Sequence, residues 1–278
     1  MLASKIKRNY LLIMQETINS ELEKGVLRRS LLLLGQHNML RLATAKVIIF
    51  GIGGVGSWCA ESLVRSGIRH LTIVDADTVC ITNCNRQLMA TVKTIGEPKV
   101  EVMRQRLLDI NPNAEITAIQ RLYSKETAGE FHLEDYDFVI DAIDSLKDKA
   151  SLILHATSIP TVTLFSSMGA ALRIDPCQVK VAEFWKVRND TLGAALRKKL
   201  KRAKTIPQQK FLCVYSEELP LDNLGTEVEA EETSSDPRLL EQATLIRKAQ
   251  TNGSLSHITG IFGFTLAGLV LQKLCSPA

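Results

Sequence analysis

No two cysteines of this 278-residue chain form a Cys-x-x-Cys pair; the six, at 59, 80, 84, 177, 213 and 275, are scattered. That excludes the paired-thiol frame of a structural zinc or a dithiol redox site, and it fits a protein kept in a reducing cytoplasm. Aromatic residues make up only 5%. The first residues, MLASKIKRNYLLIMQ, carry charge but no long apolar core, which makes a poor signal peptide. One late stretch, HITGIFGFTLAGLVLQKLC, is apolar over about fifteen residues, short of the roughly twenty that a membrane span needs. It reads as a buried core helix in preference to a membrane anchor. No internal repeat is visible. What remains is 45% hydrophobic and 23% charged, an ordinary globular composition with enough chain to bury a core. The 34 basic and 30 acidic residues leave a net charge of +4, which permits nucleic-acid binding without arguing for it.

Residues 5–45 show Leu and Ile at helical spacing, interrupted at Gly25 and Gly35. Strand and helix signals then alternate. KVIIF suits a strand buried on both faces, VGSWCAESLVRSG a helix closed by Gly67, and HLTIVD a second strand. PKVEVMRQRLLDINP starts a helix at Pro98, with positions 100, 103, 107 and 110 on one face. AEITAIQ, DFVIDAID and PTVTLF are further strands, with LKDKASLILHATS a helix before the last of them. Repeated strand–helix–strand units predict an α/β fold, a Rossmann-like, mostly parallel sheet with helices on both faces. After residue 168 an antiparallel section follows. ALRIDPCQVKVAEF reads as two strands about an Asp175-Pro176 turn, NDTLGAALRKKLKRAK as a helix and FLCVYS as a strand. Residues 217–236, rich in Glu, Asp, Ser and Thr, read as a mobile loop. The expected division is an N-terminal helical segment (1–45), a nucleotide-binding core (46–168) and an extension (169–278) belonging to the same domain.

The chemistry concentrates where the first strand meets its helix. Gly51, Gly53, Gly54 and Gly56 form a glycine loop. Glycine lets the backbone turn sharply and lets a phosphate come close, and the free N–H groups of the following helix favour negative charge. Asp75 ends the second strand and can accept from ribose hydroxyls, and Asp77 is grouped with it. The loop alone does not separate NAD from ATP. Beyond it stand Asn83, Asn85, Arg86 and Gln87, and Lys99 opens the next helix. Hydride transfer needs no such cations, whereas attack on an α-phosphate with loss of pyrophosphate does. A solvated surface pair is the competing reading of Arg86 and Lys99. Asp141 and Asp144 end a buried strand, where open sheets bind ligands. Asp144 can hold Mg²⁺ against phosphates or cap the next helix, with Asp141 the structural partner. Together these features favour ATP.

The stretches GIGGVGSW, DADTVCITNCNRQ, GEPKVEVM, VIDAIDS and RIDPCQV resemble the ubiquitin-activating-enzyme-like (ThiF/MoeB/HesA) family of carboxylate-adenylating enzymes. Within it the resemblance is greatest to the branch that dehydrates threonylcarbamoyladenosine in tRNA, and it runs from about Leu27 to the C-terminal helix. It implies ATP-dependent, ligase-class cyclisation of that nucleoside beside the anticodon through an adenylated carboxylate, releasing AMP and pyrophosphate. By motif position the glycine loop and Asp75 would hold the adenosine part of ATP. Asn83, Arg86, Gln87 and Lys99 would contact phosphates, and Asp144 would hold Mg²⁺. The resemblance also implies a homodimer in which Arg29 reaches the partner's site, and a sulfur-relay protein is a candidate partner. Val26 stands where the pattern has another arginine, Cys84 where it has threonine, and Asn-Asp-Thr-Leu replaces an Asp-Pro-Leu near residues 190–192.

Six of the eight residues from Arg197 to Lys204 are basic. On a helix they could grip tRNA phosphates or form a solvated face. The rival function is activation of a ubiquitin-like sulfur carrier protein, often with a cysteine that takes over the acyl group. Cys213 is the better candidate than Cys177, although spectator thiols are commoner.

Overall fold

A computed structural model describes residues 21–225 and 252–276. Residues 1–20 of the N-terminal helical segment and 226–251 of the acidic stretch and its sequel lie outside the described residues. The helices are α1 (Glu21–Val26), α2 (Arg28–Thr44), α3 (Gly56–Ser66), α4 (Lys99–Ile110), α5 (Leu146–Ser158), α6 (Thr191–Arg202) and α7 (Ser256–Cys275). The strands are β1 (Lys46–Phe50), β2 (His70–Val74), β3 (Glu115–Ile119), β4 (Phe138–Asp141), β5 (Thr163–Ser167), β6 (Val179–Glu183) and β7 (Leu212–Ser216).

The seven strands form one sheet in the order β3-β2-β1-β4-β5-β7-β6. Every pairing is parallel except β6 with β7. Side chains alternate along β1, as the strand period requires. Val47 and Ile49 enter a core shared with α3, α4 and α7, while Ile48 and Phe50 enter a second one shared with α5 and α6. The chain runs outward from β1 through β2 to β3, then returns to place β4 on the other side of β1. That reversal opens a crevice at the carboxyl ends of β1 and β4, the place where open α/β sheets bind ligands.

Sequence periodicity located most elements. Val100, Met103 and Leu107 of α4 are fully buried and Ile110 packs at the edge of the same core. Gly67 closes α3 with φ 115°. At the N-terminus the break falls at Leu27, since Gly25 lies inside α1; Gly35 does kink α2, with φ 73°. The two strands expected around Asp175-Pro176 reduce to β6 alone. Upstream of the turn, Glu218 takes the place of a neighbouring strand. Its carboxylate accepts from the Ile174 and Asp175 amides at 3.0 Å. The Asp175 side chain then caps a 3-10 turn, Pro176–Gln178, accepting from Cys177 N at 2.8 Å.

On length and composition α7 could cross a membrane, with mean hydropathy 1.6, but half of its apolar window is buried inside the molecule. It lies on α3, where a Cβ at Gly263 would come within 2.5 Å of the Val55 carbonyl oxygen. Gly263 therefore allows backbone-to-backbone approach and lets α7 press against the helix that carries the glycine loop.

Candidate active site

The crevice between β1 and β4 opens into a cleft of about 820 Å³. Its floor is the glycine loop. Gly51 has φ 89°, and a Cβ there would lie 2.6 Å from the Ala142 carbonyl oxygen at the end of β4. Only glycine suits that conformation and that closeness. Gly53 and Gly54 line the cleft, and a Cβ at Gly54 would press on Thr259 of α7 at 3.1 Å. Gly56 does not line it; a Cβ there would collide with the Gly51 carbonyl oxygen, so its role is the tight turn into α3. No side chain caps the N-terminus of α3, which leaves the start of that helix suited to an anion.

Asp75 stands beside the loop. Its carboxylate accepts from Ile52 N at 2.7 Å and from Asp77 N at 2.9 Å, and each oxygen keeps a lone pair for a ribose hydroxyl. Burial pushes this carboxyl above the usual range, against the pull of Lys99. Lys99 is almost wholly buried, and its Nζ lies 2.8 Å from the exposed Asp77 carboxylate. Asp77 thus braces the lysine at the cleft wall. Arg86 is half-buried, with Nη1 donating to Thr82 O at 2.9 Å and Asn85 Oδ1 at 3.0 Å. Burial lowers its pKa while the carboxylate of Asp144, which lines the same cleft, works in the opposite direction. Gln87 also lines it, with Oε1 buried and without a hydrogen-bond partner among the described residues. An acceptor in that state suits a ligand donor.

The candidates therefore separate into two groups. Gly51, Gly53, Gly54, Asp75, Asp77, Arg86, Gln87, Lys99 and Asp144 converge on the cleft, whereas Gly56, Asn83, Asn85 and Arg29 do not line it. Asn83 is buried and accepts from Cys80 N at 3.0 Å, closing a 3-10 turn. Asn85 donates to Ser254 O at 2.9 Å and so ties the crossing loop to the segment before α7. Both asparagines shape the loop that carries Arg86 and Gln87. Arg29 is exposed in the first turn of α2.

Asp144 does not cap α5, because Ser145 holds that position and accepts from Asp148 N. Asp141 is the structural carboxylate. It pairs with Lys149 at 2.8 Å, both side chains fully buried, and accepts from Ser166 Oγ at 2.6 Å. Asp141 Oδ1 also accepts from Ile143 N at 3.1 Å, and Lys149 Nζ donates to Ile143 O at 3.0 Å. The pair grips the peptide groups on both sides of Ile143 and thereby holds Asp144 at the cleft.

Cys213 cannot serve as the accessible nucleophile that its sequence context offered. It is fully buried on β7, and burial pushes its thiol well above the usual value. Cys177 is exposed and lies outside the cleft.

Sequence reasoning missed Arg173, which lines the cleft though only 4% exposed. Its guanidinium donates to the carbonyls of Glu218 and, at 2.7 Å, Asn189. Those partners are distant in the chain, so no local spacing could announce it. Leu172, beside it, also lines the cleft in the left-handed region at φ 60°.

The family model for ThiF matches residues 27–277. The chain belongs to the ThiF family. This ThiF-family protein is 34% identical over 255 residues to tRNA threonylcarbamoyladenosine dehydratase of Escherichia coli (strain K12), covering 88% of its own length and 92% of that enzyme. It is 34% identical over 250 residues to the dehydratase of the same name in Bacillus subtilis (strain 168), covering 88% and 93%. Among solved structures, the Escherichia coli dehydratase in complex with ATP is similar at a TM-score of 0.77 and 30% identity, over 92% of this chain and 96% of that one. The match to the ThiF family therefore takes in β7 and α7 and reaches well beyond the glycine loop.

Proposed function

We infer that this protein is an ATP-dependent tRNA threonylcarbamoyladenosine dehydratase. The observation that carries the reading is the nearly full-length likeness to dehydratases of that name, one of them solved with ATP, joined to a cleft in which Lys99, Arg86 and Asp144 surround a glycine loop. Two steps follow from the chemistry. A carboxylate oxygen of the threonylcarbamoyl group attacks the α-phosphorus of ATP, an acyl–adenylate forms and pyrophosphate leaves. A nucleophile within the same modification then attacks the activated carbonyl, AMP departs with the former carboxylate oxygen, and a ring closes. The water lost from the nucleoside is accounted for by conversion of ATP to AMP and pyrophosphate.

Lys99 and Arg86 neutralise charge that builds on the phosphates. The glycine-loop amides and Asp75 orient the nucleotide. Mg²⁺ fits Asp144, a carboxylate that lines the cleft together with the glycine loop, since Mg²⁺ usually takes one or two carboxylates with substrate phosphates and water. When bound it would screen the triphosphate. In the homodimer we propose, Arg29, exposed and away from its own cleft, would enter the site of the second copy. A cytoplasmic location fits a reaction on tRNA, and a sulfur-relay protein is a candidate partner there. Activation of a sulfur carrier protein is the weaker reading, because Cys213 is sealed in the core.

The test is mass spectrometry of nucleosides from tRNA incubated with the protein, ATP and Mg²⁺. The expected result is loss of one water from threonylcarbamoyladenosine, abolished in Asp144→Ala. An unchanged nucleoside, with adenylation of a carrier protein instead, would overturn the reading.

A further inference from the structure

The positive charge of this chain is concentrated. Of its 34 basic and 30 acidic residues, nine basic and one acidic lie between residues 184 and 210, leaving 25 basic against 29 acidic elsewhere. The one acid, Asp190, is 4% exposed and committed to capping α6, where it accepts from Gly193 N at 2.7 Å. The segment's exposed cations therefore have no exposed acid within their own stretch to offset them.

The fold gives that segment two faces. Leu196 and Leu200 of α6 are buried against the second core. Lys198, Lys199, Lys201 and Arg202 stand exposed. Arg197 donates to Phe184 O at 3.2 Å and so ties α6 to the turn that carries Trp185. Trp185 is 39% exposed, and Lys201 Nζ lies 5.8 Å from its ring centroid. An exposed indole set among cations offers a base a stacking face and its backbone a row of counter-charges. The surface is also continuous with the cleft: Thr191, Leu192 and Ala195 in the first turns of α6 line it. The cationic last turn lies about 16 Å along the helix axis from Thr191.

We propose that the exposed face of α6 together with Trp185 is the RNA-docking surface of this protein, with α6 leading the nucleic-acid backbone into the cleft and Trp185 stacking on an unpaired base. The inference rests on the proposed reaction for its choice of tRNA as partner. Trp185 favours RNA over an acidic protein as the occupant, because a cationic face alone would serve either.

The test is direct binding of unreacted tRNA, measured across a salt series and separately from turnover. Lys198→Gln/Lys199→Gln/Arg202→Gln removes three exposed charges and leaves the buried face of α6 intact. It should lower the slope of log affinity against log salt by about two to three, with ATP affinity unchanged. Trp185→Ala should weaken binding by about five- to a hundredfold while Trp185→Phe retains most of it. Because the chain has only one other tryptophan, Trp58, quenching of indole fluorescence by tRNA should fall sharply in Trp185→Phe. A triple variant with unchanged affinity and slope overturns the surface, and if the wild type still dehydrates the nucleoside, the reaction stands without it. Loss of tRNA binding in the variants alongside a wild type that dehydrates nothing supports the surface and overturns the reaction. A patch that binds an acidic protein and not tRNA overturns the inference.

Discussion

At the scale of single residues, the site depends on a buried ion pair that touches no substrate. Lys149 and Asp141 are fully buried 2.8 Å apart, and together they satisfy both Ile143 N and Ile143 O. Removing one partner of such a pair leaves an uncompensated charge in the core. Lys149→Met is expected to lower the unfolding free energy by about 3–5 kcal/mol, measured by urea denaturation. Adding Asp141→Asn to Lys149→Met should recover part of that loss. Asp144 also loses its anchor, so ATP affinity should weaken in any variant that remains folded. An undiminished stability in Lys149→Met would show that the pair does not hold the β4 exit.

At the scale of elements, α3 and α4 are clamped by Glu61. Its carboxylate lies 2.6 Å from Arg106 Nε on α4 and 2.8 Å from Arg65 Nη2 on its own helix. Burial pushes this carboxyl up, but hydrogen bonds from Arg106 and Arg65 outweigh it, so its pKa lies below the ordinary carboxylate value. A depressed pKa contributes stability above the unfolded value of about 4.3 and loses it as pH falls through the folded value. Glu61→Gln should therefore destabilise the protein by about 1–3 kcal/mol at pH 7. The melting-temperature gap to the wild type should close as the medium is acidified below the ordinary carboxylate range. A gap independent of pH would assign the effect to packing alone. The same amphipathic logic made the buried face of α4 readable in advance, since a buried stripe leaves a periodic trace.

At the scale of the whole molecule, the C-terminal helix supports the nucleotide site. In α7, a Cβ at Gly263 would meet Val55 O at 2.5 Å, in the glycine loop, and Cys59 N at 2.9 Å, in α3, whereas one at Gly268 would meet nothing within 4 Å among the described residues. Gly263→Ala should push α7 away from α3, lowering the melting temperature and ATP affinity together. Gly268→Ala should stabilise the protein by about 0.5–1 kcal/mol through helix propensity, with ATP affinity unchanged. Calorimetry on both variants checks this; equal effects would remove α7 from any role in shaping the loop.

The sequence by itself determined the elements and the chemistry of the loop. Buried strands, an amphipathic α4, a glycine turn after β1 and an acid ending β2 are local patterns, and local patterns survive in one dimension. It also marked Lys99 at the start of α4, Asp144 just past β4, and Arg86 in the motif that follows the acid ending β2. Only the tertiary structure decided which neighbours these residues meet. It turned Asn83 and Asn85 to shaping the loop that carries Arg86 and Gln87 instead of lining the cleft, sealed Cys213 in the core, brought Arg173 against carbonyls far along the chain, and replaced an expected strand by the side chain of Glu218. Each outcome depends on contacts between distant segments, and those contacts form only when the sheet closes and each buried polar group takes the partner within reach.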